Sequence, residues 1–595
     1  MKYPNPSKKN LKARNGGDRI RSRANIHKLY DLYIKSERNR LLKNTETDTY
    51  LKAVIVFPNY YEVGMSNLGF LRAYELINRS GFISCDRAFL QHDVSKGVIS
   101  LETRKRLINY DLIFFSLSYE NDFVNILSIL EAERIPFLSS GRDKTFPLVM
   151  AGGVIAFLNP EPVAPIFDIL FTGEAEAIFP DFFKITAGYE SSSAIKKNKA
   201  EIIEAAGKTD GIYAPSAYNF IFDTKNPHVL NKIENLPGFP EKIKRRWAGN
   251  ESVFSSSVIT TEFSELSNIN MIEIERGCKR GCRFCSAGFI YLPLRESKRE
   301  NVFKAIASLG ENDKAGFVGL GTMDSKNIGK IMRFSLDSKK PFSLSSIRFD
   351  CLDENNLNLI METGIRTVTL GIETGSSKLK RLINKDIKND EILTVLKSII
   401  GKGIMNVKTY FMFGLPYEEK NDIDETLTLI KDMQKEFISS SRINKKIGLF
   451  TVSFGPFVPK AWTPLQWENF EDIGILRRKA DYIMNNLKRL ANFAIKINPV
   501  GNAFTEAFFA RGSRLSSDIF IYSFKNKISL KKAASAKGYA INNFIRKFET
   551  DELLPWDIID QGVTKKYLLE EYLKSVNFKI TPQCFEGCRR CGVCR

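Results

Sequence analysis

Short apolar runs alternate with amphipathic stretches over most of the chain. Leu51–Pro58 (LKAVIVFP) is almost wholly apolar and predicts a strand buried on both faces, with a helix following over Leu68–Asn78. Asp111–Tyr119 (DLIFFSLSY) repeats the pattern and leads into a helix near Phe123–Glu131. Pro147–Gly152 and Asp168–Thr172 add two more strands, the first running into Gly152–Gly153 and the second into Gly173–Glu174. Near-continuous apolar strands joined by helices predict a parallel, doubly wound, Rossmann-like sheet over residues 51–200. Ligands of such sheets bind beyond the carboxyl ends of the strands, where these glycine turns lie.

Residues 201–260 break the rhythm, carry the basic knot Lys242–Arg246, and are expected to form a connector. A second series of strands follows: Met271–Ile274, Ala315–Leu320, Ser343–Arg348, Thr367–Ile372, Val407–Phe413 and Gly448–Phe454. Each but the last precedes a helix-compatible stretch. Six βα units without a closing pair predict an open, partial (β/α)6 barrel over residues 261–470. Residues 471–575 are expected to be mainly helical, beginning with Arg477–Ala494, and residues 576–595 form a cysteine-rich tail too poor in apolar residues for a core. The expected fold class is α/β, and 595 residues suit several folded units.

Composition leaves this picture intact. With 43% hydrophobic and 26% charged residues the chain is ordinary for a soluble protein, and no apolar run nears the roughly 18 residues of a membrane span. The N-terminus is basic but has no apolar stretch behind it to make a signal peptide, so a cytoplasmic location is expected. The net charge of +20 is uneven: residues 1–52 hold 14 Lys and Arg against 5 Asp and Glu, and residues 1–50 read as a basic arm. Such an arm either grips RNA or another polyanion or is a solvated tail; no stacking-aromatic pattern accompanies it.

The nine cysteines change the picture most. Seven fall in two tight groups about 300 residues apart, whereas Cys85 and Cys351 stand alone and read as structural. Clustered thiols in a large chain of this kind point to metal. The segment Glu275-Arg-Gly-Cys278-Lys-Arg-Gly-Cys282-Arg-Phe284-Cys285 follows the first barrel strand, on the face where barrel active sites lie. Three thiolates spaced C-x3-C-x2-C can wrap a [4Fe–4S] cubane and leave its fourth iron without a protein ligand. Nearby Lys279, Arg280 and Arg283 are expected to favour thiolates and offset the cluster's negative charge. A zinc knuckle is the competing reading. In the tail, Cys584, Cys588, Cys591 and Cys594 leave gaps of three, two and two residues. That spacing suits a second cubane better than the separated pairs of a zinc ribbon, with zinc as the open alternative.

The first cysteine segment, with aromatic Phe284 before its third cysteine, resembles the signature of the radical S-adenosylmethionine (SAM) superfamily. The resemblance implies that the methionine amine and carboxylate of SAM chelate the open iron. One electron from a donor such as flavodoxin or ferredoxin then cleaves the C5′–S bond, and the 5′-deoxyadenosyl radical takes hydrogen from a substrate carbon. It also implies SAM contacts at successive strand ends. Gly319-Leu-Gly321-Thr322 takes the place of a Gly-Gly-Glu-type motif for the amine but lacks its glutamate, leaving the backbone and Thr322 to serve. Arg348 is placed for the carboxylate or ribose, and Glu373 and Ser376 for the ribose. Gly414, in Phe411-Met-Phe-Gly414-Leu-Pro416, resembles an adenine-cradling turn.

The N-terminal sheet, with Gly152-Gly153 and Gly173-Glu174-Ala-Glu176, is similar to the cobalamin-binding domain of B12-type radical SAM proteins. The Asp-x-His-x-x-Gly motif of that domain gives way here to Asn59-Tyr-Tyr-Glu62-Val-Gly64, and the three histidines, His27, His92 and His228, lie elsewhere. Either cobalamin binds without a protein histidine or the domain has lost it. The segments NYYEVGMSNLGF, FVPKAWTPLQW, EAFFARGSR and PWDIID extend the resemblance over nearly the whole chain, to a family of B12-domain radical SAM proteins (Fe–S oxidoreductases). The leading expectation is a radical SAM enzyme that modifies a macromolecule, RNA or protein, by C–H activation. The alternatives are a cobalamin-dependent C-methylase and a non-catalytic iron–sulfur carrier or assembly factor.

Overall fold

The computed structural model describes residues 26–41, 50–95, 97–249, 253–311, 313–344, 347–348, 351–352, 354–443 and 446–594. Its first sheet contains β1 (Leu51–Phe57), β2 (Ile83–Phe89), β3 (Leu112–Ser116), β4 (Leu148–Gly152), β5 (Ile169–Phe171) and β6 (Ile212–Tyr213), in the order β2-β1-β3-β4-β5-β6. All neighbours run parallel except β5 and β6. Alternation divides β1 between two cores: Val54 and Val56 pack with the helix Phe123–Ala132, while Ala53, Ile55 and Phe57 pack with Leu68–Asn78 and Ala175–Ala187. Asn67 starts the helix Leu68–Asn78 by accepting the Phe70 N–H.

The second sheet system has β7 (Ile269–Glu273), β8 (Lys314–Val318), β9 (Phe342–Leu344), β10 (Thr367–Glu373), β11 (Asn406–Phe413), β12 (Phe450–Pro456) and β13 (Phe493–Ile497). Every pair is parallel, and a bridge between Ile347 and Leu370 joins its two halves. The structure thus extends the six-strand barrel by β13. The preceding helix, expected to reach Ala494, spans Ile473–Leu487, and Asn492 at φ +53° turns the chain back into the sheet. The barrel stays open, since among the described residues β7 and β13 do not pair.

One correction concerns the basic arm. Residues 26–41 are part of the N-terminal domain. Ile26–Ser36 is a helix with Tyr30 and Tyr33 buried, Tyr33 stacks on Tyr61 at 3.9 Å, and Arg38–Asn39 pairs with Ile259–Thr260. The helical spacing of these two tyrosines gives the segment an apolar face that a solvated tail would not need. Residues 1–25 and 42–49 lie outside the described residues.

The C-terminal helices clasp both sheets. Asn159 donates to the carbonyls of Ala510 (3.1 Å) and Gly512 (2.9 Å), Arg514 pairs with Glu161 at 2.8 Å, and Lys460 bridges Glu120 (2.5 Å) and Glu506 (2.9 Å). Among the described residues, no helix is long and apolar enough to cross a membrane.

Candidate active site

At the end of β7 the chain enters a short antiparallel ladder, Glu275–Arg276 against Arg295–Glu296. Gly277 follows with φ +100°, and a Cβ there would lie 2.7 Å from the Pro293 carbonyl oxygen and 2.8 Å from that of Tyr291. Only glycine lets the chain turn here. Cys278, Cys282 and Cys285 then occupy one compact loop, in which the Cys285 N–H donates to the Cys282 carbonyl at 3.1 Å. Phe289 and Ile290 anchor its far end in the core, and Phe284 packs against that core, partly buried. Fully buried Arg283 anchors its middle. The guanidinium donates to the carbonyls of Arg381 (3.0 Å) and Lys579 (2.7 Å) and pairs with Glu571 at 3.2 Å.

That pairing corrects an expectation. Arg283 directs its charge toward Glu571, and Arg280 and Lys279 pair with Asp324. Arg348 Nη1 lies 3.9 Å from Cys282 Sγ. Cys351, read as structural, also sits at this rim: Arg280 donates to its sulfur at 2.9 Å, and its thiol reaches Asp324 at 3.3 Å.

None of the three loop thiols is in a disulfide. Burial pushes the Cys278 thiol up to about 12 and the Cys285 thiol up to about 11. Metal binding to such thiols must therefore release protons. Three thiols on one loop are a donor set for a cubane with one iron open, by their number and spacing.

Beside the loop stands a residue that the motif reading quoted without giving it a role. Glu275 is only 2% exposed. Its Oε1 accepts the Gly321 N–H, whereas its Oε2 has no hydrogen-bond partner, and neither has Thr322 Oγ1. Both side chains flank Gly319, where a Cβ would come within 2.7 Å of Glu275 Cγ and 3.0 Å of Thr322 Oγ1. Burial pushes the Glu275 carboxyl up to about 7, with Asp324 and Glu296 adding to the effect. A buried carboxylate oxygen and a buried hydroxyl, both unpartnered, make a receptor for N–H groups. Strand parity was the available signal. Ile272 and Ile274 enter the core, while Met271, Glu273 and Glu275 share the other face.

The other strand-end residues differ in availability. Glu373, at φ +74°, ends β10 and accepts from Lys385 Nζ at 2.9 Å. Ser376 is fully buried; its hydroxyl donates to Asp422 at 2.6 Å and accepts the Leu379 N–H at 3.3 Å, so the fold uses it as a helix cap and not as a ribose ligand. Gly414, at φ +76°, donates its N–H to Glu418 at 2.9 Å, and a Cβ there would lie 2.5 Å from Leu476 Cδ2.

A cavity of about 570 Å³ joins the carboxyl ends of both sheets. Ser116, Gly152 and Gly173 line one wall, and Glu273, Glu275 and Gly319 the other. Its size suits a small ligand or one inserted group of a larger one. Among the described residues, no histidine lines it. Arg276, also in its wall, pairs with Glu273 (2.8 Å), Glu174 (2.9 Å) and Glu176 (3.4 Å), and Arg295 pairs with Glu174 at 2.6 Å.

Residues 272–430 match the family model described as Radical SAM superfamily, and residues 69–215 the one described as Radical SAM proteins, N-terminal. An uncharacterized protein of Methanocaldococcus jannaschii is 26% identical over 518 residues, covering 87% of this chain and 98% of that protein. Among solved structures, the cobalamin-dependent SAM radical enzyme OxsB, with aqua-cobalamin and SAM bound, has a TM-score of 0.45 at 12% identity over 89% of this chain and 79% of that one. The radical SAM methyltransferase TsrM of Kitasatospora setae, with cobalamin and a [4Fe–4S] cluster bound, has a TM-score of 0.42 at 12% identity over 68% and 75%.

Proposed function

We propose, from the premise that the chain belongs to the radical SAM superfamily and is an enzyme, that Cys278, Cys282 and Cys285 hold its [4Fe–4S] cluster and that its substrate reacts in the cavity between the two sheets. The cluster and SAM together supply a 5′-deoxyadenosyl radical able to take hydrogen from an unactivated carbon. Glu275 Oε2 and Thr322 Oγ1 accept N–H groups of the methionine amine, and Gly319 and Gly321 leave room for it. Arg348 would take the methionine carboxylate, Glu373 the ribose, and the turn at Gly414 the adenine. The observation that carries this reading is that Glu275, whose Oε2 belongs to the amine receptor, and the neighbouring Gly319 form part of the wall of the 570 Å³ cavity. A substrate group held there meets the radical at a fixed position, and positioning is the protein's main contribution.

The substrate class in this reading is a macromolecule, RNA or protein, of which the cavity has room for one nucleotide or side chain. The cavity offers no imidazole to a corrinoid, so the residues present do not supply its lower ligand. The test is anaerobic reconstitution with iron and sulfide, reduction by dithionite, and mass-spectrometric assay of 5′-deoxyadenosine. Cys278→Ala, Cys282→Ala and Cys285→Ala should each reduce its formation to background. Wild-type yield from any of the three would overturn the assignment. Comparing RNA and proteins from cells with and without the gene should then reveal the modified group.

A further inference from the structure

The tail cysteines do not stand apart from the first thiol loop. The Cys584 N–H donates to the Lys279 carbonyl at 2.7 Å, so the backbone beside Cys278 is hydrogen-bonded to the backbone of the first tail cysteine. Asn384 Nδ2 donates to both the Gly281 and Thr581 carbonyls at 3.2 Å, tying the loop to the tail a second time. Arg283, buried between them, supplies a third tie through Lys579 and Glu571. One small cavity, of about 30 Å³, has Cys278 in its wall together with Cys584, Cys588 and Cys591.

The tail itself is folded as a receptor. Gly587 (φ +84°) and Gly592 (φ +88°) turn the chain between cysteines. Arg590 Nε donates to Cys588 Sγ at 3.2 Å, and its Nη2 donates to the Pro582 and Gln583 carbonyls at 2.9 Å. The Thr564 N–H donates to the Cys591 carbonyl at 3.0 Å, pinning the tail to the start of the helix Lys565–Val576. Cys588 and Cys591 are buried, while Cys584 and Cys594 are half-buried and Phe585 is 66% exposed, so the tail reaches from the first loop to solvent.

We infer that Cys584, Cys588, Cys591 and Cys594 hold a second [4Fe–4S] cluster seated on the first cluster's loop, and that this cluster relays electrons to the first. The inference rests on the assignment of the first cluster to Cys278, Cys282 and Cys285. A protein donor of the flavodoxin or ferredoxin class gives up one electron per transfer. The tail cluster accepts it, falling from the 2+ to the 1+ state, and returns to 2+ as the first cluster is reduced in turn. No bond forms or breaks in the relay. Four thiolate ligands close all four irons of the tail cluster, which leaves it no open position and suits it to electron transfer.

The full chain, reconstituted anaerobically, should carry about eight irons, and the double variant Cys588→Ser/Cys591→Ser about four. With both clusters reduced, the wild-type electron paramagnetic resonance spectrum should show spin–spin broadening, a measurement that needs no variant. The ratio of flavodoxin-driven to dithionite-driven 5′-deoxyadenosine formation should fall at least tenfold in the double variant, because dithionite reaches the first cluster directly. About four irons plus one zinc in the wild type, reduced clusters without broadening, or an unchanged ratio would each overturn the relay. If the wild type makes no 5′-deoxyadenosine even with dithionite, the first-site reading fails instead, and iron content and broadening still decide whether the tail holds a cluster.

Discussion

Replacing Glu275 by glutamine separates what this side chain does for SAM from what it costs the fold. A carboxyl raised from 4.5 to about 7 by burial represents about 3 kcal/mol against ionisation. The sign follows. In the SAM-free protein this group's stabilising contribution is full below pH 4.5 and is lost as pH rises through about 7. SAM brings N–H donors to the unpartnered Oε2 and so favours the carboxylate; its affinity should therefore rise as pH passes through about 7. Glutamine can keep the Gly321 hydrogen bond but has no charge to uncover. At pH 8, Glu275→Gln should weaken SAM binding to cluster-loaded protein by about 1.5–3 kcal/mol, the range for a hydrogen bond to a charged group. The loss should shrink at pH 6, and SAM-free Glu275→Gln should be more stable than wild type at pH 8. Calorimetric titration with SAM, and with methylthioadenosine as a control lacking the amino acid, measures the first effect; denaturant melts measure the second. The amine's own titration is common to both proteins and cancels in their difference. Equal SAM affinity at pH 8, or the same loss at pH 6 as at pH 8, would refute the argument.

Glu373→Ala should weaken SAM binding by about 1.5–3 kcal/mol without altering the cluster spectrum in the absence of SAM. Lys385→Met, which keeps the carboxylate but removes its 2.9 Å partner, should cost less than half as much; the reverse order would give Glu373 a structural role. Deleting residues 1–25 should leave SAM cleavage intact and lower RNA affinity with a steep salt dependence. The deletion must stop before Ile26, since Tyr30 and Tyr33 are core residues. If the full-length protein has no RNA affinity at low salt, residues 1–25 are a tail only.

The strands legible in the sequence are those whose burial is purely apolar. Strand β1 reads as LKAVIVF and β3 as LIFFS, and both lie where their hydrophobicity puts them. Strand β2 went unread because its sequence, ISCDRAF, places two charges mid-strand. Both are buried and paired: Asp86 accepts from Tyr110 at 2.5 Å, and Arg87 pairs with Glu37 (2.6 Å) and Glu102 (2.7 Å). Periodicity cannot anticipate partners supplied from distant segments. Strand β13 was hidden differently, because Phe493–Ile497 continues an amphipathic helical pattern and only the turn at Asn492 ends it. At the candidate site, thiol spacing was visible because metal chemistry imposes it locally. The role of Glu275 was not, because it depends on β7 and β8 lying side by side, with Glu273 opposite Val318. Ser376 shows the opposite failure: a polar residue at the right strand end, but one whose hydroxyl the helix cap and Asp422 already use.

The junction between the two sheets is built of charge where apolar packing would have been the cheaper choice. Arg276 and Arg295 share Glu174, Arg276 also meets Glu176 and Glu273, and Arg72 reaches Glu176 at 3.3 Å. Removing such groups from water costs several kcal/mol per ion, and their mutual attraction offsets that cost only when the geometry is good. Apolar side chains would tolerate sliding of one domain on the other, whereas this network is satisfied in one register. The arrangement makes sense once the cavity is considered. One wall belongs to the first sheet and the other to β7 and β8, so a slip of about 1 Å would move the substrate group relative to the amine receptor at Glu275 and Thr322. Misplacement on that scale is enough to cost a reaction about a hundredfold. Under the proposed function, the ion pairs at the junction would act on the chemistry through position, fixing the distance between two walls that no single domain controls.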